Sequence, residues 1–332
     1  MAVPVASAAP AMPATRRPAD LVAAAPASSQ PLRRGADRAF LLLCLAFTAL
    51  AVLILVVLLF TVWRDGHGRL STELLTNYAS RRPGDAGVKA ALWGSIWVCT
   101  ICALTAIPIG LGTAVWLEEF APRSRLTSFV KLNISNLAGV PSIVYGILGL
   151  TAFVRLFGAV SADRPVSFGD PESFFHLQLP LGHGVLAGGL TLMLVVLPIV
   201  IVSSQEALRS VPRSLRAGAM ALGATRWQAT WSITLPAALP MVITGSILAI
   251  SRAIGEAAPI LVLGVPLFIR SVPSNLNSDF TVLPLQIYNW ANRPGEAFHE
   301  LAAAAIIVLL AVLLTFNAVA VVIRQRLHRS TQ

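Results

Sequence analysis

Two ionisable residues sit where a long apolar run would exclude them. Arg252 and Glu256 are the only charged residues between Pro236 and Ile269. Four residues apart on a helix, they share one face and can pair. A guanidinium offers a fork of donors that binds an oxyanion through two parallel hydrogen bonds. A neighbouring carboxylate can hold that fork between ligands and keep the site from binding too tightly. Gly255 permits close approach of another helix, and Pro259 loosens the helix just beyond the pair. Other chemistry finds no support in the residues. Cys99-x-x-Cys102 has the spacing of a redox pair but lies in an apolar run, with no strand–helix–strand pattern around it. The histidines (67, 176, 183, 299 and 328) are scattered, none at ligand spacing with a carboxylate or a second histidine. No metal site is expected. A nucleotide-binding loop needs a glycine-rich turn ending in Lys and Ser or Thr, and neither lysine, Lys89 or Lys131, follows one. No nucleophile has a neighbouring base, so no catalytic residue is expected.

The elements that would position this pair are membrane spans. Of 332 residues, 56% are hydrophobic and only 12% charged, with a mean hydropathy of +0.74. A soluble domain carries about a quarter charged residues. Uncharged apolar runs recur at Phe40–Trp63, Ala90–Leu117, Leu132–Val154, Gly184–Ser204, Pro236–Ile269 (the pair apart) and Leu301–Ile323. Each is long enough to cross a bilayer as a helix. An all-α integral membrane protein with six transmembrane helices and no soluble domain is therefore expected.

Six spans put both termini on one side. Residues 1–39, 118–131, 205–235 and 324–332 then share a side and hold 15 Lys/Arg against 5 Asp/Glu. The opposite side holds 9 of each. The whole excess of +10 lies on one side. The positive-inside rule makes that side cytoplasmic, with both termini there, and no nucleic-acid partner is needed to explain the charge. Residues 1–39, rich in Ala, Pro, Ser and Arg, read as a disordered cytoplasmic arm. Arg16-Arg17 lies too far before the first apolar run for an export signal, so that run reads as a retained helix. Residues 40–325 form the membrane domain, and 326–332 a basic tail.

The stretch Glu206–Pro240 carries a second signal. Ser210 can cap a helix that begins at Pro212. Leu215, Ala219 and Leu222 fall on one face, with Arg213 and Arg216 pointing elsewhere. Gly223 ends the helix and Thr225 caps another beginning at Arg226. A short helix, a glycine turn and a second short helix would suit a knob docking in a partner's groove. A basic helix lying on the inner leaflet is the alternative.

Here the residues carry a resemblance. A small triplet at Ala217-Gly218-Ala219, then Gly223, then nine residues to Ile233-x-Leu235-Pro236, resembles the EAA loop of binding-protein-dependent ABC importer permeases. The motif's glutamate position is occupied by Ala217, and its first alanine position by Gly218, which weakens a helix by roughly 0.5–1 kcal/mol relative to alanine. Asn136-Leu-Ala-Gly-Val-Pro-Ser-Ile-Val-Tyr-Gly146, Ser251-Arg-Ala-Ile-Gly-Glu-Ala-Ala-Pro259 and Leu285-Gln-Ile-Tyr288 are similar to segments of phosphate importers, and the similarity as a whole extends over about residues 90–325. Ala258-Pro259 after Glu256 points to the PstA type.

The resemblance implies a type I ABC importer permease of the bacterial cytoplasmic (inner) membrane, multi-pass and itself non-catalytic. Its partners would be a homologous PstC-type permease, two copies of a PstB-type cytoplasmic ATPase and a PstS-type extracytoplasmic phosphate-binding protein, besides membrane lipid. ATP and Mg would be used by the ATPase, with no cofactor on this chain. Residues 206–236 would couple to the ATPase. Residues 64–89, 155–183 and 270–300 would be candidates to dock the phosphate-binding protein. Arg252 would sit roughly 24 Å along the fifth span from Pro236, at 1.5 Å per residue, in the outer half of the membrane. A permease for sulfate or molybdate is the alternative within the class. An ion-coupled secondary transporter would require more intramembrane carboxylates than Glu256 alone, and a scaffold subunit would tolerate loss of Arg252.

Overall fold

A computed structural model describes residues 30–156, 166–168, 177–179 and 181–329. The chain divides into two units, residues 1–60 and 61–332. The first contains most of α1 (Gln30–Gly66), whose composition is apolar on every face over Phe40–Trp63. α1 begins well before the expected boundary at Phe40. Pro31 occupies the first turn, where its missing N–H leaves no bond unmade, and the residues up to Arg38 can continue a helix once the apolar run has nucleated it. Residues 1–29 of the expected arm lie outside the described residues.

The second unit is almost wholly helical. After α2 (Thr72–Thr76) come α3 (Lys89–Val115), α4 (Arg125–Leu137) and α5 (Ser142–Gly149). α6 (Val185–Ser210) and α7 (Arg213–Ala221) follow, then α8 (Arg226–Ala229) and α9 (Leu235–Gly255). The last are α10 (Ala258–Leu263), α11 (Leu283–Ala291) and α12 (Glu296–Arg329). Between α5 and α6, β1 (Val166–Phe168) and β2 (Leu177–Leu179) pair antiparallel, with Ser167 opposite Gln178. Among the described residues, five helices are long and apolar enough to cross a membrane, and a bent pair, taken as one span, makes a sixth.

The bent pair is the expected third span, and it is not a straight rod. α4 and the helix that follows it are inclined by 103° at the break. Ala138-Gly139-Val140-Pro141 causes the bend: proline disfavours helical geometry at Val140, and Pro141 itself is extended at ψ 133°. The span proper starts at Ser142, and Leu132–Leu137 belongs to the cross-lying helix. The expected fifth span is divided too. α9 ends at Gly255, Glu256 is extended (ψ 112°), and α10 is a separate turn and a half closed by Gly264.

The core lies where α3 and α6 cross. Val98, Ile101, Cys102 and Ala106 meet Ala187, Leu192, Val196 and Val200, and Ala249, Ile250 and Ala253 of α9 close over them. Small residues let these helices pack closely, since a side chain at Gly188 would collide with the Phe280 ring. The segment after α10 folds back into this bundle. Phe280, Val282, Leu283, Leu285 and Trp290 are buried, and Val185 N–H donates to Ser278 O at 3.1 Å. Much of segment 270–300, expected on the outer side, therefore serves the core. Most of segment 155–183 lies outside the described residues.

Candidate functional site

Arg252 occupies the last turn of α9, where the unpaired carbonyls of a helix end favour a positive charge. Its Nε donates to Glu256 Oε1 at 3.2 Å. Glu256 is not in the same helix as expected; it is the first extended residue after it, yet it reaches back far enough to pair. The two are unequally covered: the Arg252 side chain is 56% exposed and that of Glu256 16%. Both Nη groups of Arg252 make no hydrogen bond among the described residues. The adjoining Ser251 donates to Asn317 Oδ1 at 2.5 Å, which ties this end of α9 to α12.

The break precedes Pro259 rather than following it. Pro259 stands in the first turn of α10, where proline is tolerated, and is buried. Across from it lies Gly146 of α5, where a Cβ would come within 2.8 Å of the Pro259 Cα. Only glycine admits that approach, so the two interrupted spans meet at Gly146 and Pro259. Gly255 has nothing within 4 Å of where its Cβ would be, so among the described residues no other helix makes the expected approach to it. Arg252, Glu256 and Gly255 thus stand together at a helix end, with Pro259 turned into the bundle.

The second expected site is the loop after α6. Ser210 does not cap α7; its hydroxyl donates back to Ala207 O at 2.7 Å, and Pro212 takes the N-cap position without a side-chain bond. The C-terminus of α7 is as expected. Gly223 has φ +89°, Ala224 N–H donates to Ala219 O at 3.1 Å and Gly223 N–H to Met220 O at 3.0 Å, the paired bonds of a Schellman ending. Thr225 and Gln228 form a capping box on α8. α8 is not a free-standing second helix. It runs through a wide turn at Thr230–Thr234 into α9, and the pair forms one span, Arg226–Gly255. Pro236 explains the wide turn, since its ring clashes with the carbonyl four residues back in regular α geometry.

Ala217 and Gly218 are exposed, Ala219 is buried, Gly223 is exposed, and Ile233, Leu235 and Pro236 are half-buried. Of the apolar face expected on α7, Ala219 turns inward while Leu222 is 92% exposed at the tip.

Sequence reasoning missed what holds this loop. Glu118 and Glu119 end the helix that begins with α3. Glu118 Oε1 accepts from Lys131 Nζ at 2.8 Å and from Arg209 Nη2 at 2.7 Å. Glu119 pairs with Arg216 at 2.8 Å. Arg216 also donates to Leu208 O at 2.6 Å and Thr234 Oγ1 at 3.2 Å, and Arg226 donates to Glu119 O at 2.7 Å. α7 is thereby fastened to α3, α6 and the start of α9. The available signal was an adjacent acidic pair within the group of segments that together carry the whole positive excess of the chain.

These features define a class: a helical bundle of apolar spans with an exposed loop braced against them, the architecture of type I ABC importer permeases. The family description "Binding-protein-dependent transport system inner membrane component" matches residues 106–330, and the chain belongs to that family. A Bacillus subtilis (strain 168) protein named "Probable ABC transporter permease protein YqgI" is 33% identical over 213 residues, 64% of this chain and 65% of that one, just under two thirds of its length. "Phosphate transport system permease protein PstA 1" of Mycobacterium tuberculosis (strain CDC 1551 / Oshkosh) is 33% identical over 241 residues, 72% of this chain and 70% of that one. "Phosphate transport system permease protein PstC" of Xylella fastidiosa (strain Temecula1 / ATCC 700964) is 31% identical over 307 residues, 89% of this chain and 91% of that one. In fold, the chain is similar to one in the crystal structure of a bacterial alginate ABC transporter in complex with an alginate pentasaccharide-bound periplasmic protein. The TM-score is 0.58 at 15% identity, covering 88% of this chain and 95% of that chain.

Proposed function

We propose that this chain forms half of the transmembrane path of an ATP-driven importer of inorganic phosphate in the bacterial cytoplasmic membrane, beside a homologous permease subunit. The reading rests on Arg252, which is half exposed at a helix end with both Nη groups unbound and only its Nε engaged by Glu256. Phosphate is a mono- or dianion near neutral pH, and the unbound fork offers it two parallel charge-assisted hydrogen bonds. Glu256 competes for the same guanidinium, so the anion is released as well as held. The relatives named as phosphate permeases support this substrate. They include both PstA and PstC types at similar identity, and the PstA position is our choice from Ala258-Pro259. The α7 loop, facing the cytoplasm with both termini, would seat on a separate ATPase that supplies hydrolysis. An extracytoplasmic phosphate-binding protein would deliver the substrate, leaving this chain without a catalytic residue or cofactor of its own.

The test is labelled-phosphate uptake into vesicles holding the full complex, with ATP hydrolysis read in the same vesicles. Uptake should fall at least tenfold in both Arg252→Gln and Arg252→Lys while assembly and hydrolysis persist, because lysine cannot replace the fork. Unchanged uptake would make the pair structural. A parent that carries sulfate or molybdate instead would refute the substrate and leave the family untouched.

A further inference from the structure

The basic end of the bundle contains an open recess of about 1310 Å³ between α4, α7 and the start of α8. Its cations divide into two groups. Lys131 and Arg209 are held by Glu118, and Arg216 by Glu119. Arg123, Arg125 and Arg213 also line the recess and make no ion pair or hydrogen bond among the described residues. Arg226 gives one donor to a main-chain carbonyl and has no acidic partner there. The two acids are thus consumed by other cations, and four guanidiniums face one space uncompensated. Such a surplus attracts a ligand with several anionic oxygens.

The rims say what carries those oxygens. On one side, α4 is inclined by 103° to the span that follows, so it lies across the bundle end rather than along a span. Its Leu126 and Phe129 are 71% and 63% exposed, one helical turn apart on the face away from the bundle. On the other side, Trp227 and Trp231 are stacked at 5.4 Å and more than half exposed, just where α8 leads into a span. A cross-lying amphipathic helix and an indole pair at a span's mouth are the features that settle at a membrane–water interface. Apolar groups for acyl chains therefore flank cations for a headgroup.

We propose that this recess binds the phosphoryl headgroup of an anionic phospholipid of the inner leaflet, a site distinct from the Arg252 path; the leaflet follows from the cytoplasmic orientation of the α7 loop. One wall of the site is α7 itself, so an occupied recess braces the loop through Arg213, beside the Glu119–Arg216 pair that already fastens α7, while Glu118 holds the opposite wall through Lys131 of α4. The bound lipid makes the loop's position depend on membrane composition.

The test weighs the purified full complex by native mass spectrometry after equilibration with phosphatidylglycerol or with phosphatidylcholine of the same chains. The parent should retain phosphatidylglycerol preferentially. Each arginine replaced should weaken that preference about fivefold, the equivalent of ~1 kcal/mol per basic residue near an anionic surface. The Arg123→Gln/Arg125→Gln/Arg213→Gln variant should lose it entirely. These three side chains make no bonds to break, and Arg213→Gln alone, with its fivefold loss, serves if the triple variant fails to assemble. Equal retention of the two lipids by the parent would overturn the proposal, as an acidic segment of a partner filling the recess would produce. A preference unchanged in the variants would overturn it too. So would saturable binding of inorganic phosphate to a parent that retains no phosphatidylglycerol, which would assign the recess to the free anion.

Discussion

Arg216 and Arg252 lie in the same helical unit and each faces a glutamate, but their surroundings differ. Arg216 reaches a carboxylate, a main-chain carbonyl and a hydroxyl, from α3, α6 and the start of α9, and its side chain is 21% exposed. Arg252 reaches one carboxylate four residues away and leaves its fork unbound, at 56% exposure. Arginine donates five hydrogens in a fixed geometry. Where several partners from different elements use them, the residue is part of the frame. Where one local partner uses a single donor, the residue is held but available. The same residue type thus braces the loop at the basic end and stands ready at the break in the fifth span.

The contrast is broken first by Arg216→Ala. It leaves Glu119 partly buried and unpaired and removes two further bonds that join α7 to the bundle. Removal of one partner of such a pair should lower stability by about 3 kcal/mol, read as a drop in the denaturation midpoint of the purified complex. Arg216→Lys should recover part of it. A loss below about 1 kcal/mol would place Arg216 with ordinary surface pairs and dissolve the distinction. A smaller effect is expected at the end of α7. Gly223 holds φ +89°, so Gly223→Ala should cost about 1–2 kcal/mol. Gly218, mid-helix with nothing within 4 Å of a Cβ, should become more stable as alanine by about 0.5–1 kcal/mol. Opposite signs in the same denaturation series would show the helix and its Schellman ending to be intact in solution. Equal signs would mean that α7 takes its shape only on a partner.

Local chemistry was legible where it was self-contained. Gly223 and Thr225 announce a helix stop and a helix start by their types alone, and both serve so. The apolar runs gave the spans, because a bilayer demands length and hydropathy and little else. The breaks were less visible. Pro141 and Pro259 are in plain view, yet Pro259 opens a helix and the rupture falls ahead of it at Glu256. The proline ring clashes with the carbonyl four residues back, at Gly255, so the break precedes the proline. The close fit of Pro259 against Gly146 of α5 is tertiary and left no mark in the sequence. Glu118, Glu119 and Arg216 were unreadable as a cluster because their partners lie up to 107 residues apart in sequence, as the Arg226–Glu119 bond does. Arg252 and Glu256 stood out because an apolar run makes any charge conspicuous, and a span of four residues kept their pairing local.

The smallest expected effect is also the one that separates the two arginines most sharply. Arg252→Gln removes a single 3.2 Å bond to Glu256. If the pair faces a hydrated path, water replaces the lost guanidinium, and stability should change by less than about 1 kcal/mol. If the pair faced lipid instead, a lone Glu256 would carry a penalty of at least ~2.5 kcal/mol, the value for an unpaired charge deep in a membrane helix. Denaturation of the Arg252→Gln complex alongside the Arg252→Gln/Glu256→Gln complex distinguishes these. In a hydrated path the two variants should unfold within about 1 kcal/mol of each other and of the parent. Against lipid, the second substitution should restore what the first took away, because it removes the stranded charge. Near-equality would mean that Arg252 contributes little to the frame, so that a loss of transport in Arg252→Gln, if found, could not be charged to misfolding.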